Sequence, residues 1–234
     1  IGTAIDLRST DTTACFLPLF HTAGINLHAL PTLFAGGTLL LLEQFDADAL
    51  VRLLEVRRLD AVFAVPAVYQ ALLDHPRFAA APLPHVRHWG CGGAPLAERV
   101  ARRCRDLGIR LCNGMGMTET GPTAFLQSPA EAWDRIGAIG RPQLLCRARL
   151  VDDADRDVAE GEVGHLLFAG GGITPGYWRN PEATAAAFTK DGWLRSGDLA
   201  RRDPDGGYWV AGRAKDMFVS GGENVYRVEI ENVL

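Results

Sequence analysis

The stretch DAVFAVPAVYQALL, residues 60–73, decides the fold. Its first half is a short continuous apolar run, the pattern of a strand covered on both faces. Pro66 then brings a preset φ and has no N–H to satisfy, which suits the first turn of a helix. Tyr69, Leu72 and Leu73 follow at helical spacing. The same strand-then-helix grammar recurs on both sides. GTLLLLE (37–43) reads as a strand buried on both faces, and Asp48 is placed to cap a helix carrying Leu50, Leu53, Leu54 and Arg57. VRHWGC (86–91) reads as a strand that runs into the turn GGAP (92–95). A helix then sets Leu96, Val100, Cys104 and Leu107 on one face and stops at Gly108, before the strand IRLCNG (109–114). Strands alternating with helices predict a mainly parallel sheet with helices packed on it, over residues 1–135.

Past residue 136 the texture changes. RARLVDD (147–153), GEVGHLLFAG (161–170), GWLRSGDLARR (192–202) and GGYWVAGR (206–213) are short segments divided by turns, with hairpin chemistry at KDGW (190–193) and DPDGG (203–207). One helix interrupts them, capped by Asn180 with Pro181 in its first turn. Residues 136–212 are expected to form a small antiparallel, barrel-like β subdomain. VYRVEIENVL (225–234) begins something amphipathic.

Composition narrows the function classes. The 234 residues are 47% hydrophobic and 22% charged, too apolar for an intrinsically disordered chain. A net charge of −4 argues against a dedicated nucleic-acid binder. Between Asp11 and Glu43 no acidic or basic residue occurs apart from two histidines. Pro18, Gly24, Asn26, Pro31 and the Gly36–Gly37 pair nevertheless break that run well short of the roughly 20 apolar residues a membrane span requires. No integral membrane segment is expected. Five cysteines, an odd number without ligand spacing, argue for reduced thiols and a cytoplasmic protein.

Three stretches could carry chemistry. NGMGMTETGPT (113–123) follows a predicted strand; its glycines let backbone N–H groups approach a ligand, Thr118 offers a hydroxyl and Glu119 a carboxylate suited to Mg²⁺. An ordinary strand-to-helix turn reads equally well. Asp198 and Arg213 sit on segments that can pair, where they suit ribose hydroxyls and phosphate, or form a plain surface ion pair. His21, in LPLFHTAG (17–24), is locally a core histidine. Neither His21 with His28 nor His85 with His88 reads as a metal pair. Arg99, Arg102, Arg103 and Arg105 read as a solvated helix face.

These segments, with GEVGHLLFAGGGITPGYWRNPEAT (161–184), DGWLRSGDLA (191–200) and GRAKDMFVSGGENVYRVEIENVL (212–234), occur in one order. In that order the chain resembles the adenylate-forming, AMP-dependent acyl-CoA synthetases, closest to fatty-acyl and aryl-acid CoA ligases. The resemblance implies that a carboxylic acid and Mg-ATP give an acyl-adenylate, which CoA converts to a thioester. It implies that Thr118 contacts phosphate, Glu119 holds Mg²⁺, and Asp198 and Arg213 serve the ribose. It implies that Gly93, Ala94, Pro95 and Asn113 frame adenine with Met115 beside it, and that His21 walls the acyl pocket. Asp216 would be the hinge that opens the segment 213–234, and Gly221 and Gly222 would line the CoA path. Two positions depart from the family pattern: Met115 replaces an aromatic ring, and Arg227 replaces a proline. The family's phosphate loop would lie before Ile1 and its catalytic lysine beyond Leu234. The chain therefore reads as an internal fragment, inactive in isolation. A carrier-protein-loading adenylation domain and a non-catalytic nucleotide-binding module are the alternatives; oligomeric state is not legible.

Overall fold

The helix that starts at Pro66 forms where its proline puts it. In the computed structural model, which describes residues 1–220 and 223–225, strand β3 (Ala61–Ala64) leads through Val65 into helix α3 (Pro66–Leu73). Strands β1 (Thr12–Cys15), β2 (Thr38–Leu41), β4 (His88–Cys91) and β5 (Leu111–Met117) join β3 in parallel, in the order β2-β1-β3-β4-β5. Helices α2 (Ala47–Glu55) and α4 (Glu98–Asp106) flank α3 on one face. Leu50, Leu54, Tyr69, Leu72, Val100 and Cys104 interlock there with Val62, Trp89 and Leu111 of the sheet. A wide helical segment of π type (Ala23–Ala29), continued by α1 (Leu30–Phe34), lies against β1 and β2; the Thr13 and Thr32 hydroxyls, 2.9 Å apart, tie it down.

Two local expectations need correction. The α2 cap is Asp46, whose carboxylate accepts from the Ala49 N–H at 2.8 Å. Asp48 lies inside the first turn and pairs with Arg77 instead. The apolar strand β2 is not buried on both faces. It takes the edge position of the described sheet, with Leu41 62% exposed. An unbroken apolar run says that both faces avoid water, but the ladder order decides what covers them.

At β5 the sheet changes character. Strand β6 (Gly121–Leu126) turns back antiparallel on it and pairs in turn with β7 (Arg141–Pro142). A second, four-stranded antiparallel sheet follows, ordered β11-β10-β9-β8, from β8 (Cys146–Val151), β9 (Gly164–Gly170), β10 (Leu194–Arg202) and β11 (Tyr208–Arg213). Helix α5 (Pro181–Ala187) interrupts it, and the Asn180 side chain accepts from the Ala183 N–H as expected. The second core draws Ala124 and Phe125 from β6 together with Leu166, Phe168, Leu194 and Tyr208. Phe125 packs at 5.8 Å on Phe168 and 4.8 Å on Tyr208, so packing is continuous across residue 135. A last hairpin pairs β12 (Phe218–Ser220) with β13 (Glu223–Val225). Among the described residues no helix is long and apolar enough to cross a membrane.

Tyr69 joins helix to sheet most directly. Its ring is fully buried against Trp89 and its hydroxyl donates to the Gly90 carbonyl at 2.8 Å. Tyr69→Phe keeps the packing and leaves that carbonyl short of a donor. A loss of about 1–2 kcal/mol is expected, read as a shift in the urea midpoint at constant slope.

Candidate active site

The parallel strands all end on one side of the sheet, so the segments following them converge there, as they do at the ligand crevice of open α/β sheets. A cavity of about 310 Å³ lies at that edge. His21 and Thr22, beyond β1, line it together with Gly92 and Gly93 beyond β4. Thr118 and Glu119, beyond β5, complete its polar end, and Arg213 reaches it from β11.

The glycine-rich motif is not a strand-to-helix turn. Residues 111–117 stay extended, Thr118–Thr120 make one tight turn, and Gly121 sends the chain back as β6. The Met117 N–H donates to Thr120 Oγ1 at 3.0 Å and closes the turn. Gly116 is needed because a Cβ there would overlap the Pro122 carbonyl across the hairpin. Along β5, Gly114 and Gly116 face the cavity, while Met115 packs into the second core. The register slips between Met115 and Met117, and Met117 reaches both.

Glu119 has a partner that the sequence reading missed. The Tyr177 hydroxyl donates to Glu119 Oε1 at 2.9 Å, and the Thr174 N–H donates to the Glu119 carbonyl at 2.7 Å. The carboxylate in turn pushes the Tyr177 phenol pKa up. Tyr177 and Glu119 are 58 residues apart, and only the motif GGITPGYWRNPEAT hinted that the tyrosine mattered.

Asp198 and Arg213 are directly opposed across β10 and β11, joined at 2.9 Å. Asp198 is 6% exposed, while the Arg213 side chain is about half exposed at 48%, so this is more than a surface pair. Burial raises the Asp198 carboxyl pKa, and the guanidinium only partly opposes the rise. Arg213 lines the cavity; Asp198 stands behind it.

The remaining sequence candidates are spread more widely. His21 is exposed at the cavity, its Nδ1 accepting from the Ala23 N–H at 3.1 Å. Gly93, with φ +82°, lines the cavity; Ala94 and Pro95 follow it as exposed turn residues. Asn113 is buried and spends its amide N–H on the Ala138 carbonyl at 3.1 Å. Asp216 is exposed in a single turn, Ala214–Asp216, just past β11. Gly221, Gly222 and Arg227 lie outside the described residues. The histidines regroup. The apolar end of the cavity brings together His28 and His88, which belong to different pairs in the sequence, with Phe63 beside them.

Residues 1–178 match the profile of a family described as AMP-binding enzyme. A feruloyl-CoA synthase from an Amycolatopsis species is 41% identical over 98% of the chain and 46% of its own length. An indoleacetate–CoA ligase from Aromatoleum aromaticum is 39% identical over 98% of the chain and 45% of its own. Among solved structures, ATP-bound MatB from Rhodopseudomonas palustris superposes with a TM-score of 0.90 at 32% identity, covering 98% of this chain and 45% of that one. O-succinylbenzoate CoA synthetase from Bacillus subtilis, in complex with ATP and magnesium, gives 0.89 at 26%, covering 99% and 48%. The chain thus spans about half the length of the relatives it matches.

Because folding raises the Asp198 carboxyl pKa, the folded protein holds that proton to higher pH than the unfolded chain does. Between the two pKa values the unfolded chain binds fewer protons, so stability falls as pH rises through that window. Asp198→Asn removes the effect. The stability of the variant relative to wild type should climb with pH just above the ordinary aspartate range and then level off, followed by urea unfolding. A flat difference, or one that falls, would contradict the burial argument.

Proposed function

The chain belongs to the family of AMP-binding enzymes, and on that premise we propose that it is part of an AMP-forming acyl-CoA ligase acting on a fatty or aryl acid. The observation that carries the reading is the two-ended cavity. Thr118, Glu119 and Arg213 supply a hydroxyl, a carboxylate and a guanidinium at one end, and apolar walls form the other.

In the first half-reaction a carboxylate oxygen attacks the α-phosphorus of ATP, the bond to the β-phosphate oxygen breaks, and pyrophosphate leaves. In the second the CoA sulfur attacks the acyl carbon and AMP departs with the original carboxylate oxygen, the thiol proton passing to solvent. A carboxylate lacks a useful leaving group, and adenylation supplies one. Catalysis then rests on positioning and on charge stabilisation. Thr118 donates to phosphate oxygen, and Arg213 donates to phosphate or ribose with Asp198 holding the guanidinium. His21 stands where the acyl group meets the phosphate. Gly93, Ala94 and Pro95 frame adenine through backbone groups, and Met115 and Asn113 support that wall from behind.

Magnesium fits this donor set, because it takes one or two carboxylates and completes its shell with phosphates and water. Glu119 would hold it, and its chemistry there is neutralisation of phosphate charge. Tyr177 fixes one carboxylate oxygen and leaves the other to face the ligand, which makes it a positioning residue. Gly221 and Gly222 are proposed for the CoA path and Asp216 for the hinge between half-reactions. The boundaries 1–135, 136–212 and 213–234 are proposed as the corresponding units. Five free cysteines support a cytoplasmic setting. The activity is proposed for the full-length protein.

Glu119→Ala in the full-length protein is expected to reduce ATP–pyrophosphate exchange by about a hundredfold or more. Tyr177→Phe should instead raise the Mg²⁺ concentration needed for half-maximal exchange. Unchanged exchange in the alanine variant removes Glu119 from the reaction. Asp216→Pro restrains the hinge backbone and should spare exchange while slowing CoA thioester formation. Equal loss of both steps would remove the hinge assignment.

A further inference from the structure

The far end of the cavity is not the plain hydrocarbon sleeve that an aliphatic tail would need. On β4 the residues that share the cavity face are His88, Gly90 and, just past the strand, Gly92, while Trp89 and Cys91 point into the helix-covered core. The two glycines leave a flat groove. A Cβ on Gly90 would lie 2.9 Å from Phe63 Cδ2 and 3.1 Å from His88 Nε2. Phe63, paired in register with Gly90, forms the side of the groove, and His88 closes its floor. From Gly92 at the mouth to His88 is about 13 Å at about 3.3 Å per residue, a depth for a ring with a short acid chain.

Across from His88 the π-type segment contributes His28, its ring 5.6 Å from that of Phe63 and close enough to His88 for their charges to oppose each other. Both histidines are nine-tenths or more buried, at 5% and 6% exposure. His28 Nδ1 is sealed off without a hydrogen-bond partner among the described residues. A buried ring nitrogen without an acceptor is cheaper to keep unprotonated than to leave as an orphan N–H. The His28 proton therefore belongs on Nε2, which becomes a donor in need of an acceptor.

Resting on the ligase reading, we propose that His28 and His88 are specificity-determining residues that select a planar aryl acid carrying a hydroxyl on the ring edge far from its carboxylate. A hydroxyl both accepts and donates, so it satisfies one imidazole of each kind. An aliphatic tail would strand both rings without partners. A second carboxylate fits poorly, because burial lowers the pKa of His28 to about 3 and that of His88 to about 4, so both rings are neutral at pH 7. Among the described residues the one lysine or arginine lining the cavity is Arg213, which stands opposite Asp198 and lies with the phosphate-facing residues.

The test compares 3-(4-hydroxyphenyl)propenoate with 3-phenylpropenoate on the full-length protein, by ATP–pyrophosphate exchange and by calorimetric binding of each acid. Wild type should favour the hydroxylated acid at least tenfold in kcat/KM and in Kd. His28→Leu should cut that preference about tenfold, and His28→Asn, which keeps an acceptor and a donor near the ring position, should restore part of it. Thermal melting establishes that each variant folds. Equal effects on the two acids, or a wild-type preference for the unhydroxylated or an aliphatic acid, would overturn the proposal and leave the ligase reading standing. Tighter binding of the hydroxylated acid without exchange on any acid would support the pocket assignment and overturn the ligase reading. Neither binding nor exchange would overturn both.

Discussion

The β5–β6 hairpin is the constraint on which the rest of this structure depends. One strand, Leu111–Met117, is the last of a parallel ladder on one side and the first of an antiparallel one on the other. Its turn therefore sits at the carboxyl edge of the sheet and beside the second sheet at once, which is how Thr118 and Glu119 come to face residues from β11 and from the loop before α5. The hairpin closes only because Gly116 carries no Cβ beneath the Pro122 carbonyl. Met115 and Phe125, on its far face, seal the second core. A single local geometry thus supplies the polar end of the cavity, part of its wall and the joint between two cores.

Electrostatics in the site follow from depth. Asp198 is buried and its guanidinium partner half exposed, so burial outweighs attraction and the carboxyl pKa rises. Glu119 and Tyr177 show the complementary case: an accessible carboxylate steadied by one neutral donor, with an oxygen to spare. The buried histidines repeat the logic at the apolar end, where desolvation removes the charge and leaves hydrogen-bonding capacity.

Much of the fold was legible in the chain itself. Pro66, the apolar strands, the stop at Gly108 and the Asn180 cap are local effects, decided within a few residues by φ preference and periodicity. The errors were local choices between near equals. Asp46 and Asp48 both suit a helix start, and the one with extended backbone became the cap. An apolar strand at an edge and one at the centre have the same composition, so the exposure of β2 had no signature.

The candidate site divides along the same line. Residue types in fixed spacing pointed to Thr118, Glu119, Asp198 and Arg213, because backbone pairing between consecutive strands carries their geometry. Tyr177, His28 and His88 have no such warrant. Each meets its neighbour through a contact spanning tens of residues, and nothing in the sequence joined His28 to His88. By itself the sequence determined which segments become strands and helices and which turn holds the polar groups. Only the tertiary structure decided what those groups face and how dry they are, because burial and long-range contact belong to the packed assembly of strands and not to any one of them.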